Sequence, residues 1–389
     1  MTSVNHINGN NLRSARLINQ LNLYELSELL GISVSTLVKM EAGISQPNNI
    51  LIKQLCCRLG ILPPFLTGSS RYTIHEDAIF YVPITTPKSQ ATSNNSTLFQ
   101  ATAYLSLYYE LIRVLKTQFR FPNNFPKIYD ADIASDTNIE QLADSCRFHW
   151  GLGFSPIENI TTLIERSGGI VTSFPNLYSS IDSMSITYPH PIIIINHKKT
   201  AYQVRFDIAM HCGAIVSNFF FTSKNISATK QDLENFALAL LMPACSFRNE
   251  FVRSKPIIYW PEIESLQQRW GVSKEAVIYR AFQLKLISIK QLKFSLAKLR
   301  TNASIHFNNC KTKKEQPHFI SNQIQQLNKT QALSTEVIAQ HLAVKKLLLT
   351  NLFIEFKNAL NKSAASSPKK HNVFSINYTR KSTDLPSRL

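Results

Sequence analysis

Glycine is scarce, with 11 among 389 residues, which excludes collagen-like and glycine-rich low-complexity chains. Charge is thin as well: Asp, Glu, Lys and Arg make up 17% of the chain against 44% hydrophobic residues. A chain that apolar can bury a core, which excludes disorder throughout. The six cysteines (Cys56, Cys57, Cys146, Cys212, Cys245 and Cys310) form no CxxC pair and keep no regular spacing. Their scatter argues for reduced thiols, against a disulfide framework and against a Cys-based zinc site. No run approaches the ~18–20 apolar residues of a membrane span; the strongest, PIIIIN at 191–196, reads as a buried strand. The opening MTSVNHINGNNLRSARL has no apolar h-region, so no signal peptide is expected and the protein reads as soluble and cytoplasmic.

Positive charge is what the chain has in excess. Lys and Arg number 42 against 25 Asp and Glu, a formal +17. A field of that sign attracts polyanions, nucleic acid first and an anionic membrane surface second. The length suits two or three domains of roughly 100–200 residues each.

From Leu12 to about Leu66 the chain reads as short amphipathic helices divided by turns. Leu12, Leu17 and Leu21 keep near-helical spacing, and Leu26, Leu29 and Leu30 follow. Gly31 is placed to end that helix, and Ser33 to cap a short one from Val34 to Met40. Gly43 and Pro47 close it, and an apolar stretch from Ile50 to Leu62 completes a core. The phrase LSELLGISVSTLVKMEAG, beginning at Leu26, closely resembles the XRE (lambda-repressor-like) helix-turn-helix family. Arg16, the Gly31-Ile32-Ser33 turn, Ser35-Thr36-Leu37, Glu41, Gly43, Pro47 and the closing Leu55, Leu59, Gly60 and Ile61 all keep the family's spacing.

The resemblance implies that helix 33–41 enters the major groove of double-stranded DNA. Ser33, Val34, Ser35, Thr36 and Lys39 would then meet base edges and phosphates, with Arg13 and Arg16 as phosphate contacts or structural ion pairs. Leu23 departs from the pattern, since the family often has Gln there. Short side chains at 34–36 would read thymine methyls and DNA shape. Residues 11–68 carry five basic against three acidic side chains, so this domain does not explain the charge.

Residues 69–97 read as a Ser/Thr/Pro/Asn-rich linker with one short strand. A helical period over Leu98–Phe119 marks either a dimer seam or domain core, and a second helix follows over Asn138–Trp150. Residues 156–245 alternate helices with the strands IVTSF, SMSITY and PIIIIN, an α+β pattern with a short, mostly antiparallel sheet.

Pro156-Ile157-Glu158-Asn159-Ile160, the strand ending at Asn196, Arg205-Phe206, and Phe236-Ala237 with Leu240-Leu241-Met242-Pro243 look like the ImmA/IrrE zinc-peptidase family. That family carries HExxH on the helix after Arg205-Phe206: two imidazoles one helical turn apart bind zinc, and the Glu activates water. Here the segment is Met210-His211-Cys212-Gly213-Ala214. Met210 and Ala214 stand where the two His ligands belong, His211 where the Glu belongs, and Asp232 near the third ligand. A thioether and a methyl group do not replace imidazoles on Zn²⁺. No catalytic residue, metal or cofactor is therefore expected, and the chain reads as a non-enzyme.

Beyond it, Leu266–Ile287 resembles the helical hairpin that follows this core in the same family. It is a packing element there, but Gly271-Val272-Ser273 also mimics a second helix-turn-helix. Residues 248–314 hold fourteen basic against four acidic side chains, a candidate auxiliary phosphate surface. Residues 333–360 read as helical, capped by Ser334 or Thr335, and 362–389 as a basic disordered tail.

The expected fold is mainly α with a small α+β domain. The boundaries are 10–68 for a lambda-repressor-like helical bundle, 69–97 for a linker, 98–150 for a helical connector, 151–300 for the degenerate ImmA/IrrE-like domain, 301–361 for C-terminal helices and 362–389 for the tail. The order resembles bacterial and phage transcriptional regulators. It implies a homodimer on an operator, with the central domain serving dimerisation or sensing a small molecule or protein, and no membrane partner. A zinc endopeptidase cleaving a repressor and an antitoxin-like interaction protein are the alternatives.

Overall fold

The computed structural model describes residues 6–68, 74, 79–83, 94–126, 139–174, 181–187, 190–196, 198–221, 229–251, 258–301, 313–330 and 333–365. Five helices open the chain: α1 (Gly9–Ile18), α2 (Leu23–Leu30), α3 (Val34–Glu41), α4 (Asn49–Arg58) and α5 (Pro63–Thr67). Strand β1 (Ile79–Pro83) and the long α6 (Asn94–Lys116) follow, then α7 (Ile139–His149) and α8 (Ile160–Arg166). The middle holds β2 (Ile170–Phe174), β3 (Ile181–Ile186), β4 (Ile192–Asn196), α9 (Ala201–Phe221), α10 (Lys230–Leu241) and α11 (Ala244–Glu250). Then come α12 (Trp260–Trp270), α13 (Lys274–Gln283), α14 (Ile289–Thr301), α15 (Phe319–Thr330), α16 (Thr335–His341), α17 (Lys346–Leu352) and α18 (Ile354–Ala365).

The sheet runs β1-β3-β4-β2. Two pairings are antiparallel, β1 with β3 and β3 with β4. The third, β2 with β4, is parallel, so the sheet is mixed and, with two of its three pairings antiparallel, mostly antiparallel as the sequence pattern suggests. The parallel pair arises because β3 crosses to the far side of β4, leaving β2 and β4 pointing the same way. Strand β1, drawn from the stretch expected to be linker, forms the opposite edge.

Both faces of this sheet are covered, and the isoleucine run shows why. Side chains alternate across a strand, so Ile192 and Ile194 enter one core while Ile193 and Ile195 enter another. All four are at most 3% exposed, and burying an Ile side chain contributes about 1.5–3 kcal/mol.

On the Ile193 side α9 crosses the sheet, backed by α7, α8, α10 and the α12–α14 helices. On the Ile192 side the five N-terminal helices, α6 and α15–α18 share a single core. Helix α6 is core throughout its middle: Tyr104, Leu105, Leu107, Tyr108, Leu111, Ile112 and Leu115 are all buried. Of the two roles open to it, it fills the core one.

The two ends of the chain are bolted together by more than apolar packing. Ile61 and Val344 form an isolated antiparallel bridge. The Leu62 amide donates to the Ala343 carbonyl at 2.8 Å, and the Lys345 amide to Gly60 at 2.7 Å. Deeper in the same core, Tyr108 of α6 and Thr172 of β2 both donate to the Glu355 carboxylate of α18. Burial pushes that carboxyl above its ordinary range, and its Oε2 has no protein partner.

The stretch expected to be helical over 333–360 forms three helices, α16, α17 and α18. Ser334 caps α16, accepting from the Val337 amide at 3.3 Å. Ala343 at φ 54° then breaks the run. The tail beyond 365 lies outside the described residues, as do Cys310 and most of the linker expected over 69–97. Among the described residues no helix is long and apolar enough to cross a membrane.

Candidate functional site

The α2–α3 unit is built from local signals. Asn22 caps α2 in a reciprocal box: its side chain accepts from the Glu25 amide at 2.9 Å, and Glu25 accepts from the Asn22 amide at 2.7 Å. Gly31 ends the helix at φ 65°, a left-handed turn that a side-chain-free residue adopts without strain. Two residues later the Ser33 Oγ accepts from the Thr36 amide at 3.0 Å and starts α3. Leu37 and Met40 are buried, so the opposite face is turned outward.

That outward face carries Ser33, Val34, Ser35, Thr36, Val38 and Lys39, all exposed. Val38, at 45% exposed, is one turn after Val34 and belongs to the face although the sequence reading omitted it; the i, i+4 spacing was the available signal. Lys39 is the face's one charge. The Ser33 and Thr36 hydroxyls lie 2.8 Å apart, each engaged with the other as well as open to solvent.

The two arginines of α1 go different ways. Arg16 is 7% exposed and clamps Glu41, with Nε to Oε1 at 2.6 Å and Nη2 to Oε2 at 2.8 Å. Its Nη1 donates to the Leu21 carbonyl at 3.0 Å. Of its two expected roles, phosphate contact or ion pair, Arg16 forms the ion pair, because a guanidinium spent this way has no face left for a phosphate. It fixes the end of α3 to α1. Arg13 stays exposed, with its guanidinium 4.8 Å from the Phe99 ring centre of α6. Where Gly9 meets α3 there is no room for a side chain: a Cβ would lie 2.6 Å from the Met40 carbonyl oxygen and closer still to that of Glu41.

The second candidate site lies on α9. Met210, His211 and Ala214 are buried at 3%, 0% and 4% exposure. His211 faces the sheet: Nδ1 sits 2.9 Å from the Ser185 hydroxyl of β3, Phe80 of β1 packs edge-on at 5.2 Å, and Nε2 has no protein partner. Burial, and then the charge of Lys199, lowers its pKa to about 3, so the ring is neutral. Cys212 is fully buried, and desolvation holds its thiol protonated far above the usual range.

Asp232 is committed elsewhere. It closes a capping box at the start of α10, accepting from the Thr229 hydroxyl at 2.7 Å and the Thr229 amide at 3.0 Å. Among the described residues no three His, Cys, Asp or Glu side chains are placed to hold one metal ion. This donor set does not fit a zinc ion: a thioether, a methyl group and a carboxylate tied to its own helix cap replace three ligands.

Residues 12–66 match the family model described as helix-turn-helix, and residues 166–282 match that of the IrrE N-terminal-like domain. The chain joins an XRE-type helix-turn-helix to an IrrE-like domain. No curated protein and no solved structure matches it.

Within the IrrE-like domain the α12–α13 hairpin packs. Arg280 is fully buried; its Nε donates to the Met242 carbonyl at 2.8 Å and its Nη1 to Glu140 Oε2 at 2.8 Å. Val277, Ile278 and Ala281 are buried beside it. The basic surface expected over 248–314 thins accordingly, since Arg269, Lys274 and Arg280 hold Glu250, Glu264 and Glu140. Lys290, Lys293 and Arg300 of α14 remain exposed.

Two buried carboxylates join this domain to the C-terminal helices. Glu315 pairs with Arg205 of α9 and accepts from the Thr161 amide at 2.8 Å. Glu165 accepts from the His318 and Phe319 amides, both at 3.0 Å, at the start of α15. Burial raises the Glu165 pKa to about 7. The α9, α10 and α13 helices also border a solvent-open cavity of about 670 Å³, which no sequence signal had marked.

Proposed function

We propose that the protein is a sequence-specific DNA-binding transcriptional regulator whose IrrE-like domain lacks peptidase activity and serves as a dimerisation or sensor module. The helix-turn-helix match supports a DNA-binding regulator. The observation that carries the reading is the exposed, nearly uncharged face of α3, held rigidly by buried Leu37 and Met40 and by the Arg16–Glu41 clamp. On it, Val34, Ser35 and Thr36 meet base edges, Ser33 and Lys39 meet phosphates, and Arg13 adds a phosphate contact from α1. Short side chains on that face favour contact with thymine methyls and readout of DNA shape. A homodimer doubles the few base pairs one such unit reads.

A gel shift with the chain's own upstream DNA tests this. Changing Thr36→Ala together with Lys39→Ala should weaken binding by about tenfold or more, the worth of one lost base contact. Unchanged binding would sink the groove-reading assignment.

The IrrE-like match favours a second reading, a zinc endopeptidase. The residues at 210, 211, 214 and 232 oppose it. They supply neither the paired imidazoles that hold the ion nor a carboxylate to take a proton from water. Metal analysis of purified protein separates the two: stoichiometric zinc, with repressor cleavage stopped by a chelator, would establish the enzyme.

A further inference from the structure

The cavity of about 670 Å³ in the IrrE-like domain falls in the size range of small-molecule sites. Its walls come from α9, α10 and α13, with Leu292 of α14, and each of the first three contributes one carboxylate: Asp207 from α9, Glu234 from α10 and Glu275 from α13. Four rings complete it, Tyr202 and Phe206 on α9 with Tyr279 and Phe282 on α13. Among the described residues no Lys, Arg or His lines it. That is notable in a chain where Lys and Arg outnumber Asp and Glu by 42 to 25, because a lining drawn at random from such a chain would be basic.

Two lysines pair with lining carboxylates without balancing all of the acid. Lys199 is shared between Asp207 and Asp182, and Lys230 approaches Glu234 only to 3.6 Å on the exposed side. Glu275 is exposed at the rim with Tyr279. Carboxylates and aromatic faces converging on one space favour a positive charge attached to an apolar body, the carboxylates by Coulomb attraction and the rings by cation–π contact.

We propose that this cavity binds a small organic cation, an ammonium group carried on an aromatic or aliphatic body. This gives chemistry to the sensor role proposed above. The position suits that role. Arg205, between the lining residues Phe206 and Tyr202 on α9, holds Glu315, which leads into α15 and the core that the helix-turn-helix shares.

The test is calorimetric titration of the full chain, without DNA, so that its outcome is independent of operator binding. Phenethylammonium is the probe, with 2-phenylethanol and phenylacetate as neutral and anionic counterparts of the same body. The ammonium should bind, the alcohol about tenfold or more weaker, and the acid not at all below about 10 mM. The paired change Glu234→Gln and Glu275→Gln, at two solvent-accessible positions, should lower ammonium affinity about tenfold while leaving the melting temperature of the free protein unchanged. The proposal is overturned if the ammonium fails to bind below about 10 mM, if the alcohol or acid binds as well, or if the double variant keeps full affinity. Tighter binding of a lysine-containing tripeptide than of the amine would overturn the small-molecule assignment.

Discussion

Removing Arg16 separates its structural role from a DNA-contacting one. Both partners of its clamp are nearly enclosed, with side chains 8% and 9% exposed, and the pair is bidentate at 2.6 and 2.8 Å. Arg16→Ala leaves the Glu41 carboxylate buried without its counter-charge, and the Leu21 carbonyl loses its donor. Breaking such a pair costs about 3–5 kcal/mol, a large share of the roughly 5–15 kcal/mol that holds a domain folded. Replacing both partners by apolar residues of similar length, Arg16→Met with Glu41→Leu, removes the stranded charge. What remains is mainly the unsatisfied Leu21 carbonyl, about 1–3 kcal/mol.

The double variant should therefore be more stable than the single one by about 1–3 kcal/mol. Denaturant unfolding of the wild type and the variants measures it, with the Arg16→Met and Glu41→Leu singles closing the cycle. The double variant should also keep operator affinity and its salt dependence, because no phosphate contact was lost. A single variant costing under about 1 kcal/mol, or a double variant no better than the single, would refute the buried-clamp argument. A double variant that folds normally but binds DNA with a shallower salt slope would return Arg16 to the phosphates.

Three further outcomes are expected. Gly9→Ala should destabilise the helix-turn-helix, since its Cβ would be forced against the Met40 and Glu41 carbonyl oxygens; a melting temperature equal to the wild type's would show that α1 and α3 separate freely. Glu165 binds a proton up to about pH 7 when folded but only to about pH 4.3 when unfolded. Its contribution is therefore full below the lower value and lost as pH rises to the upper one, and Glu165→Gln should flatten the fall in stability between those values. His211 has the opposite sign: its folded pKa of about 3 lies below the unfolded ~6.5, so its contribution is present at neutral pH and lost on acidification. His211→Gln should accordingly be less acid-sensitive than the wild type in that window, and an unchanged acid profile would mean that the ring is not buried neutral against Ser185.

Much of the helix-turn-helix was legible because its signals are local. Asn22, Gly31, Ser33 and Asn48 act within three or four residues of themselves, through caps and one left-handed turn. That Met210 and Ala214 stand where a helical zinc pair would need imidazoles was legible for a related reason, since two ligands one turn apart on a helix must appear at fixed spacing. The strand PIIIIN was legible as buried because an unbroken isoleucine run leaves neither face for water.

Partnerships across distance were not legible. Whether Arg16 reaches a phosphate or Glu41 depends on how α1 meets α3, and whether α6 is a seam or core depends on α15–α18, more than two hundred residues later in the chain. Nor does any local pattern bring Asp207, Glu234 and Glu275 around one space. The sequence by itself determined the helices, their caps, the isoleucine strand and which residues stand at the HExxH positions of α9, because each is a matter of neighbours along the chain. Only the tertiary structure decided that the N-terminal helices and α15–α18 share one core and that the basic chain forms a cavity lined by three carboxylates, because apolar burial and electrostatic complementarity act through space between residues whose order says nothing of their meeting.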